Sequence, residues 1–327
     1  MRINPYENLS GGRWIKANFH THAGTGPGTC GSNSVPATLD VYRQLGFGAL
    51  CISNHDLYTD TSALGDEKMF LLQGVEYSPY PHLLTLGVQE SFHALTHQEA
   101  IRETNKRGGL AILCHPNWTK KEYWPWTQLD ALEGYAGIEI INMLIYRLSG
   151  SGLATDTWDY LLRQGKNVRG FGNDDFHILS DAGRSWNEMY VREPGFEGIK
   201  RAVEDGAFVV STGLSLDFCV IKNGVLRVKA KFPTSTYVKD FTYRFITDKG
   251  LAKTRRCETA TFRLGDEKYV RVEVIAENGA MLFTQPLWAK KNDTAVQKFV
   301  VKFPTPISAP PNCRASASRS WPAQAAR

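Results

Sequence analysis

The chain has 327 residues, 42% hydrophobic and 22% charged, with a formal net charge of +5. Those values fit a globular protein with one large domain and a smaller one, and they exclude a disordered or fibrous chain. The charge is mild and no long run of lysine and arginine occurs, so nucleic acid is not expected as a partner, while an anionic small-molecule substrate is.

Of the six cysteines, none forms a C-x-x-C pair. Cys51 and Cys114 lie inside apolar runs, as reduced, buried thiols do. The first twelve residues are polar and lack the apolar stretch of a secretion signal. No run of about 18 apolar residues is present to span a membrane. A cytoplasmic location without membrane contact is the resulting expectation, and a homo-oligomer is compatible with it.

In chain order, Ile15–Phe19 reads as a strand leading into His20. Pro36–Leu45 reads as a helix, with Ser34 as N-cap, Pro36 in the first turn and Gly46 at its end. Ala49–Ser53 is a strand ending at His55. The runs Phe70–Leu72 and Gly74–Val75 precede Glu76, and Leu83–Val88 is another strand. Thr96 and Glu99 form a capping box for a helix to Lys106, which Gly108-Gly109 ends. Leu110–Leu113 runs into His115. Gly137–Ile141 is a buried strand, Thr155–Arg163 a helix, and Val168–Gly172 a strand leading to Asp175. A helix over Glu197–Glu204 feeds the strand Phe208–Ser211.

Strand and helix alternate from about residue 14 to 212, which implies a parallel sheet. Candidate ligands sit at the C-terminal ends of the strands, which favours a barrel over an open sheet, because a barrel gathers those ends on one face. After Leu216 period-2 strands take over: Phe218–Ile221, Leu226–Lys231, Thr242–Ile246 and Tyr269–Ile275, with Asn223-Gly224 as a hairpin turn. The expected domains are therefore 1–215, a barrel; 216–304, a small β-sandwich; and 305–327, a Pro-, Ala-, Ser- and Arg-rich disordered tail.

Six of the eight histidines fall where metal ligands would be useful: His20, His22, His55, His82, His115 and His177. Imidazole and carboxylate oxygen are the ligands of Zn²⁺, Mn²⁺ and Fe²⁺. His20 and His22, two apart on an extended strand end, point the same way. Asp175-x-His177 repeats that geometry. Glu76, after an apolar strand, can bridge two ions. A single His82 or His115 is more often a structural histidine, but His115 ends the very apolar run 110–113. His93 and His97 lie in a polar stretch and are expected to be exposed. Asp56 is read either as part of the His55 element or only as a cap of the next helix.

The order His-x-His, His-Asp, strand-Glu, His, strand-His-Pro, Asp-x-His resembles the polymerase and histidinol phosphatase (PHP) superfamily over about residues 14–212. The segments Gly183-Arg184-Ser185-Trp186 and Ala202 to Gly213, followed by strands, are similar to its carbaryl-hydrolase-like branch. The resemblance implies a distorted (β/α)7 barrel with two or three divalent ions that hydrolyses phosphoesters. It implies one ion on His20, His22, Glu76 and Asp175, a second on Glu76, His82 and His115, and a third on His55 and His177. The family supplies a further His or Asp soon after His-x-His. Residues 23–30 offer neither, so two ions are expected, and a third is weak or absent unless Cys30, Asp56 or water substitutes.

Two ions about 3.5–4 Å apart can present a hydroxide and neutralise the leaving side. The leading expectation is an enzyme: a metal-dependent phosphoesterase that attacks a small phosphorylated metabolite with metal-bound hydroxide. Glu76 and Asp175 are assigned to catalysis through the metals, and Arg184 stabilises charge. Arg184, Lys16 and Arg147 are candidate anion clamps. The glycine-rich loop 24–31 is a candidate anion cradle. Trp118 is the candidate substrate contact in an aromatic segment, 118–126, that forms either a lid or a packed plug. The alternatives are an amide, carbamate or ester hydrolase, and a non-catalytic carbohydrate- or protein-binding module with a retained metal site.

Overall fold

Short apolar strands and capped amphipathic helices follow one another along the first two-thirds of the chain, in a computed structural model that describes residues 3–118, 123–234 and 240–289. Strand β1 (Arg13–Asn18) is followed by helix α1 (Val35–Gln44). The Ser34 hydroxyl caps α1 by accepting from the Ala37 amide, and Pro36 sits in its first turn, where no hydrogen-bond donor is needed. Strands β2 (Phe47–Cys51), β3 (Phe70–Leu72), β4 (Glu76–Tyr77) and β5 (Leu83–Leu86) come next. Helix α2 (His97–Lys106) starts with the expected reciprocal Thr96/Glu99 capping box. There follow β6 (Leu110–Leu113), α3 (Trp126–Ala131), β7 (Gly137–Asn142), α4 (Thr155–Arg163) and β8 (Arg169–Asn173). Then come β9 (Trp186–Val191), α5 (Phe196–Asp205), closed by Gly206 at φ 71°, and β10 (Phe208–Ser211).

The remaining strands are β11 (Ser215–Lys222), β12 (Val225–Lys231), β13 (Phe241–Thr247), β14 (Gly250–Cys257), β15 (Ala260–Arg263), β16 (Tyr269–Ile275), β17 (Met281–Thr284) and β18 (Leu287–Trp288). The fold is mixed α/β, with several sheets and few helices. One sheet runs β14-β13-β16-β17-β10-β9-β1-β2-β3, with β18 beside β16; a second runs β4-β5-β6-β7-β8; a third is β11-β12-β15.

The expected all-parallel arrangement needs correction. Strands β1, β2 and β3 are mutually parallel, as are β6, β7 and β8. Strands β4, β5 and β6 are antiparallel, and β9 lies antiparallel between β1 and β10. The physical reason for β9 is its pairing: no α-helix crosses from β8 to β9, which lie in different sheets, and β9 takes its direction from its ladders with β1 and β10 on either side.

Past residue 215, the sheet β11-β12-β15 shares an apolar core with β13 and β16. Leu226, Val228, Phe241, Phe245, Val272 and Val274 are all buried there. Strand β10 pairs with β17, so the sheet that carries β1 continues into these strands. The expected tail, 305–327, and the expected domain's last residues, 290–304, lie outside the described residues. No helix among the described residues is long and apolar enough to cross a membrane.

A buried ion network ties α4 to β16. Arg271 donates from Nε and Nη2 to the two oxygens of Asp159, each at 2.7 Å, and from Nη1 to Glu273 at 2.8 Å. Its guanidinium stacks over Trp158. Removing one partner of a buried pair strands the other charge, which costs more than the pair contributes. Asp159→Ala is therefore expected to lower unfolding free energy by about 3 kcal/mol, read as a lower urea midpoint at unchanged m-value. A midpoint within error of wild type would rule this out.

Candidate metal centre

The strand ends aim six histidines and two carboxylates at one volume. His20 and His22 follow β1 in extended backbone, held by the His22 amide on the Phe176 carbonyl and the Phe176 amide on the His20 carbonyl. Two residues of spacing puts both rings on one side, with centroids 5.1 Å apart. His55 follows β2, and a single parallel bridge joins it to Glu76, the first residue of β4. His115 and Asp175 follow β6 and β8 with φ of 30° and 52°. Such positive φ is costly for side-chain-bearing residues and clusters at functional sites.

Glu76 is the hub. Its carboxylate lies 3.3 Å from His20 Nε2, His22 Nε2 and His115 Nε2, 3.0 Å from His82 Nδ1 and 2.7 Å from His55 Nδ1. Asp175 Oδ1 lies 3.3 Å from both His20 Nε2 and His22 Nε2, and 3.5 Å from His177 Nδ1. All eight residues expected as ligands thus meet in one cluster. His20, His22, Glu76 and Asp175 are fully or almost fully buried.

Several of these atoms lack hydrogen bonds despite burial: His20 Nε2, both nitrogens of His22, Glu76 Oε2, His115 Nδ1 and Asp175 Oδ1. A buried polar atom left unsatisfied costs about 1–3 kcal/mol. An imidazole and carboxylate set of this kind fits divalent cations, which would satisfy several of these atoms at once. Ligand-capable atoms gather within 4.8 Å of each other in four sets: His20/His22/Asp175; His20/Glu76/Cys114/His115; His55/Glu76/His82; and His22/Cys30/His55/His177.

Charges within the cluster are strongly coupled. Burial disfavours each charged form, but Asp175, Glu76 and Glu139 outweigh it and raise His20 well above its ordinary value. Against the same penalty, the facing histidines hold Glu76 and Asp175 well below the carboxylate range. A cation entering here would replace protons as the positive partner. Burial pushes the Cys114 thiol well up, despite the pull of His20. Burial also opposes a Cys30 thiolate, but the facing imidazoles of His177, His22 and His55 outweigh it and bring the thiol down to about 4.

Two supporting carboxylates were not singled out in the sequence. Glu139, in the middle of β7, accepts from His20 Nδ1 at 2.9 Å, the His115 amide at 2.8 Å, Asn142 at 2.9 Å and Asn173 at 2.8 Å. A glutamate inside the otherwise apolar run Gly137–Ile141 was the available signal, since a fully buried glutamate almost always has partners. Asp174 accepts from Tyr42, Asn18 and the amides of Gly183, Arg184 and Ser185. It thereby fixes the loop that bears Arg184.

The other expected residues are placed as follows. Trp118 stands 5.1 Å from the His115 ring and 5.9 Å from that of His82, centroid to centroid. With Leu144, Ile145 and Leu148 it walls a cleft of about 170 Å³ whose floor includes Glu76, His115 and Asp175. Arg184 is exposed and lies near Tyr146, on the turn Leu144–Arg147 that forms the cleft's edge. Lys16 does not join the cluster: its ammonium lies over the Trp186 ring and donates to the Leu45 carbonyl. Four residues of strand separate it from His20, roughly 13 Å. Arg147 is taken by Asp181 in a two-point ion pair, and Asp181 also accepts the His177 and Ile178 amides.

Part of the aromatic segment is a plug. Tyr123 and Trp124 are buried, Tyr123 accepting from the His82 amide and Trp124 donating to the Cys114 carbonyl. Residues 119–122 lie outside the described residues. His93 is exposed as expected, but His97 is not free: it bonds the Pro81 carbonyl at 2.6 Å and packs on Trp124. A polar neighbourhood in sequence hid that contact, which the fold of the 79–82 loop creates. Asp56 accepts the Ser78 amide, an intrachain cap of β4.

No family model matches the sequence, and no curated protein matches it. Solved structures do. A two-domain protein from Bacteroides vulgatus, containing a predicted PHP-like metal-dependent phosphoesterase, is 16% identical over 88% of this chain and 99% of its own, with a TM-score of 0.54. The lesion-specific endonuclease EndoQ from Pyrococcus furiosus is 16% identical over 58% of this chain, with a TM-score of 0.40. An Endonuclease Q in complex with a 27-mer duplex carrying an abasic lesion is 14% identical over 59% of this chain, with a TM-score of 0.43. The chain spans little more than half of either endonuclease, 56% and 57%. The Bacteroides structure carries the fold: this chain has a PHP-like fold.

Proposed function

We propose that this chain, PHP-like in fold, is a metal-dependent hydrolase, and specifically a phosphoesterase acting on a small phosphorylated molecule. The observation that carries the reading is the convergence of His20, His22, His55, His82, His115, His177, Glu76 and Asp175 on buried atoms without hydrogen bonds. Divalent ions held by them, Zn²⁺, Mn²⁺ or Fe²⁺, would supply Lewis acidity and acidify a water molecule. Glu76 faces five histidines and is suited to span two ions. Glu139 holds His20 with Nε2 turned inward. Trp118, Leu144 and Leu148 form an apolar wall that would seat the organic part of the substrate and exclude water. Arg184, its loop fixed by Asp174, is assigned to the phosphate at the cleft edge.

The architecture we propose is a distorted seven-stranded barrel over 1–215, with a β-sandwich unit over 216–304. Single bridges Thr21–Phe176 and His55–Glu76 support the barrel. Added to the ladders among β1, β2 and β4 to β8, they connect seven strands in a ring. The core shared by β11, β12, β13 and β16 supports the second unit.

A specific observation favours a second reading, hydrolysis of an amide, carbamate or ester: no lysine or arginine is among the described residues that line the cleft. A turnover screen decides between them, using Mn²⁺- or Zn²⁺-loaded protein against phosphomonoesters, phosphodiesters (duplex DNA included), and aryl carbamates and esters. For a phosphoesterase, Arg184→Ala should cost about a hundredfold in kcat/KM, the scale of losing a charged donor to a developing oxyanion. Activity on neutral carbamates or esters alone, insensitive to that substitution, would transfer the assignment to the second reading.

A further inference from the structure

The PHP pattern asks for a His or Asp shortly after His-x-His, and this chain has Cys30 where that ligand is missing. Cys30 is solvent-exposed, yet it is not a loose surface thiol. On its N-terminal side, the Thr29 hydroxyl donates to the Gly24 and Gly26 carbonyls at 2.9 and 2.7 Å. On its C-terminal side, the Ser32 amide and hydroxyl both donate to the His177 carbonyl, at 2.8 and 2.9 Å. Gly31 lies flat against the chain: a Cβ there would meet the His22 carbonyl oxygen at 2.4 Å and Ala23 Cα at 2.9 Å. The loop is thus stapled to the backbone of two candidate ligands, with the thiol between them.

What the thiol faces is a histidine set. Ligand-capable atoms of His22, Cys30, His55 and His177 lie within 4.8 Å of one another. Ligand atoms around a tetrahedral ion stand roughly 3.5 Å apart, from metal–sulfur and metal–nitrogen lengths of about 2.3 and 2.0 Å. His22 is fully buried, and neither of its ring nitrogens has a hydrogen-bond partner. The His22 ring stacks at 4.3 Å from that of His177 and lies 4.4 Å from that of His55.

We propose that Cys30 is a thiolate ligand completing a three-histidine, one-sulfur site with His22, His55 and His177, and that this site selects zinc-like ions over Mn²⁺ and Mg²⁺. The proposal rests on the metal-centre reading above and deepens it. Soft thiolate favours Zn²⁺ and Co²⁺, whereas carboxylate, carbonyl and water suit Mn²⁺ and Mg²⁺. On binding, the thiol proton passes to solvent as the sulfur–metal bond forms.

The test is the absorption spectrum and metal content of Co²⁺-loaded full-length protein, wild type against Cys30→Ser and Cys30→Asp. The expected result is a near-ultraviolet sulfur-to-cobalt charge-transfer band in wild type. Cys30→Ser should lose that band and one equivalent of cobalt. Cys30→Asp should recover the equivalent without the band. A band that survives in Cys30→Ser, which would place the sulfur at the buried Cys114 instead, overturns the proposal. So does bound cobalt with visible d–d bands and no charge-transfer band, an outcome that leaves the metal centre standing. Absence of any bound cobalt overturns both.

Discussion

Glu76→Ala is expected to lose at least about a thousandfold in kcat/KM, some 4 kcal/mol of transition-state stabilisation, together with more than one equivalent of bound metal. Among the described residues, no other side chain in the centre approaches so many ligands. Its two oxygens stand between His20, His22, His55, His82 and His115. Removing it deprives two adjacent ion positions of their shared anion and leaves five imidazoles facing one another. Like charges packed at such spacing disfavour both protonation and metal binding. Metal content by mass spectrometry and turnover, measured on one preparation, check the result. The metal-free variant should fold, since an imidazole, unlike a guanidinium, can become neutral and need not be left as a stranded buried charge. Wild-type protein should in turn gain thermal stability on loading, by about 4 kcal/mol when free metal is a thousandfold above Kd. A Glu76→Ala protein with full metal content would remove Glu76 as the bridge.

The second large effect is expected from a residue that touches no substrate. Glu139→Gln should weaken metal binding about 10- to 100-fold, the usual penalty for disturbing a group that orients a ligand. A carboxylate only accepts, so His20 must donate from Nδ1, and Nε2, turned towards Glu76 and Asp175, is the nitrogen that would take a cation in place of a proton. Both oxygens of Glu139 meet donors: His20 and Asn173 on one, the His115 amide and Asn142 on the other. A glutamine amide placed either way faces its NH₂ against two of those donors. The repulsion would turn His20 or move the 113–115 backbone, whose φ at His115 is already positive. Calorimetric titration with Zn²⁺ reads the affinity, and circular dichroism reports whether the fold is kept. Unchanged affinity in a folded variant would show that Glu139 serves β7 alone.

These two residues also mark where local reading stops. Glu76 was legible because it ends an apolar run and stands next to Gly74 and Tyr77, the pattern of a strand delivering a polar group to a sheet end. The same logic found His20, His22, His55, His115 and Asp175, each two to four residues past a strand. Thr96/Glu99 and Ser34 were legible as caps because a cap is made by residues three apart. Strand β9 was not: Trp186–Val191 has neither clean alternation nor a preceding helix, and its place between β1 and β10 is set by pairing partners far away in the chain. The antiparallel β4-β5 pair was hidden for a different reason: β4 is only two residues long, too short to show a period.

Chain chemistry by itself determined which residue types could act: six histidines and two carboxylates at strand ends, a period that switches from helix-rich to strand-rich near residue 215, and a ligand gap after His22. Those are properties of neighbours in sequence, and short-range sterics and solvation govern them. Only the tertiary structure decided which groups meet. It took Lys16 out to the Trp186 ring, tied Arg147 to Asp181, brought Glu139 behind His20 and set Cys30 against three histidines. Apart from Cys30 with His22 and His55, each of those outcomes joins residues more than 30 positions apart. Their partner is chosen by the burial that closes the sheets around the site, a quantity no local window of the chain contains.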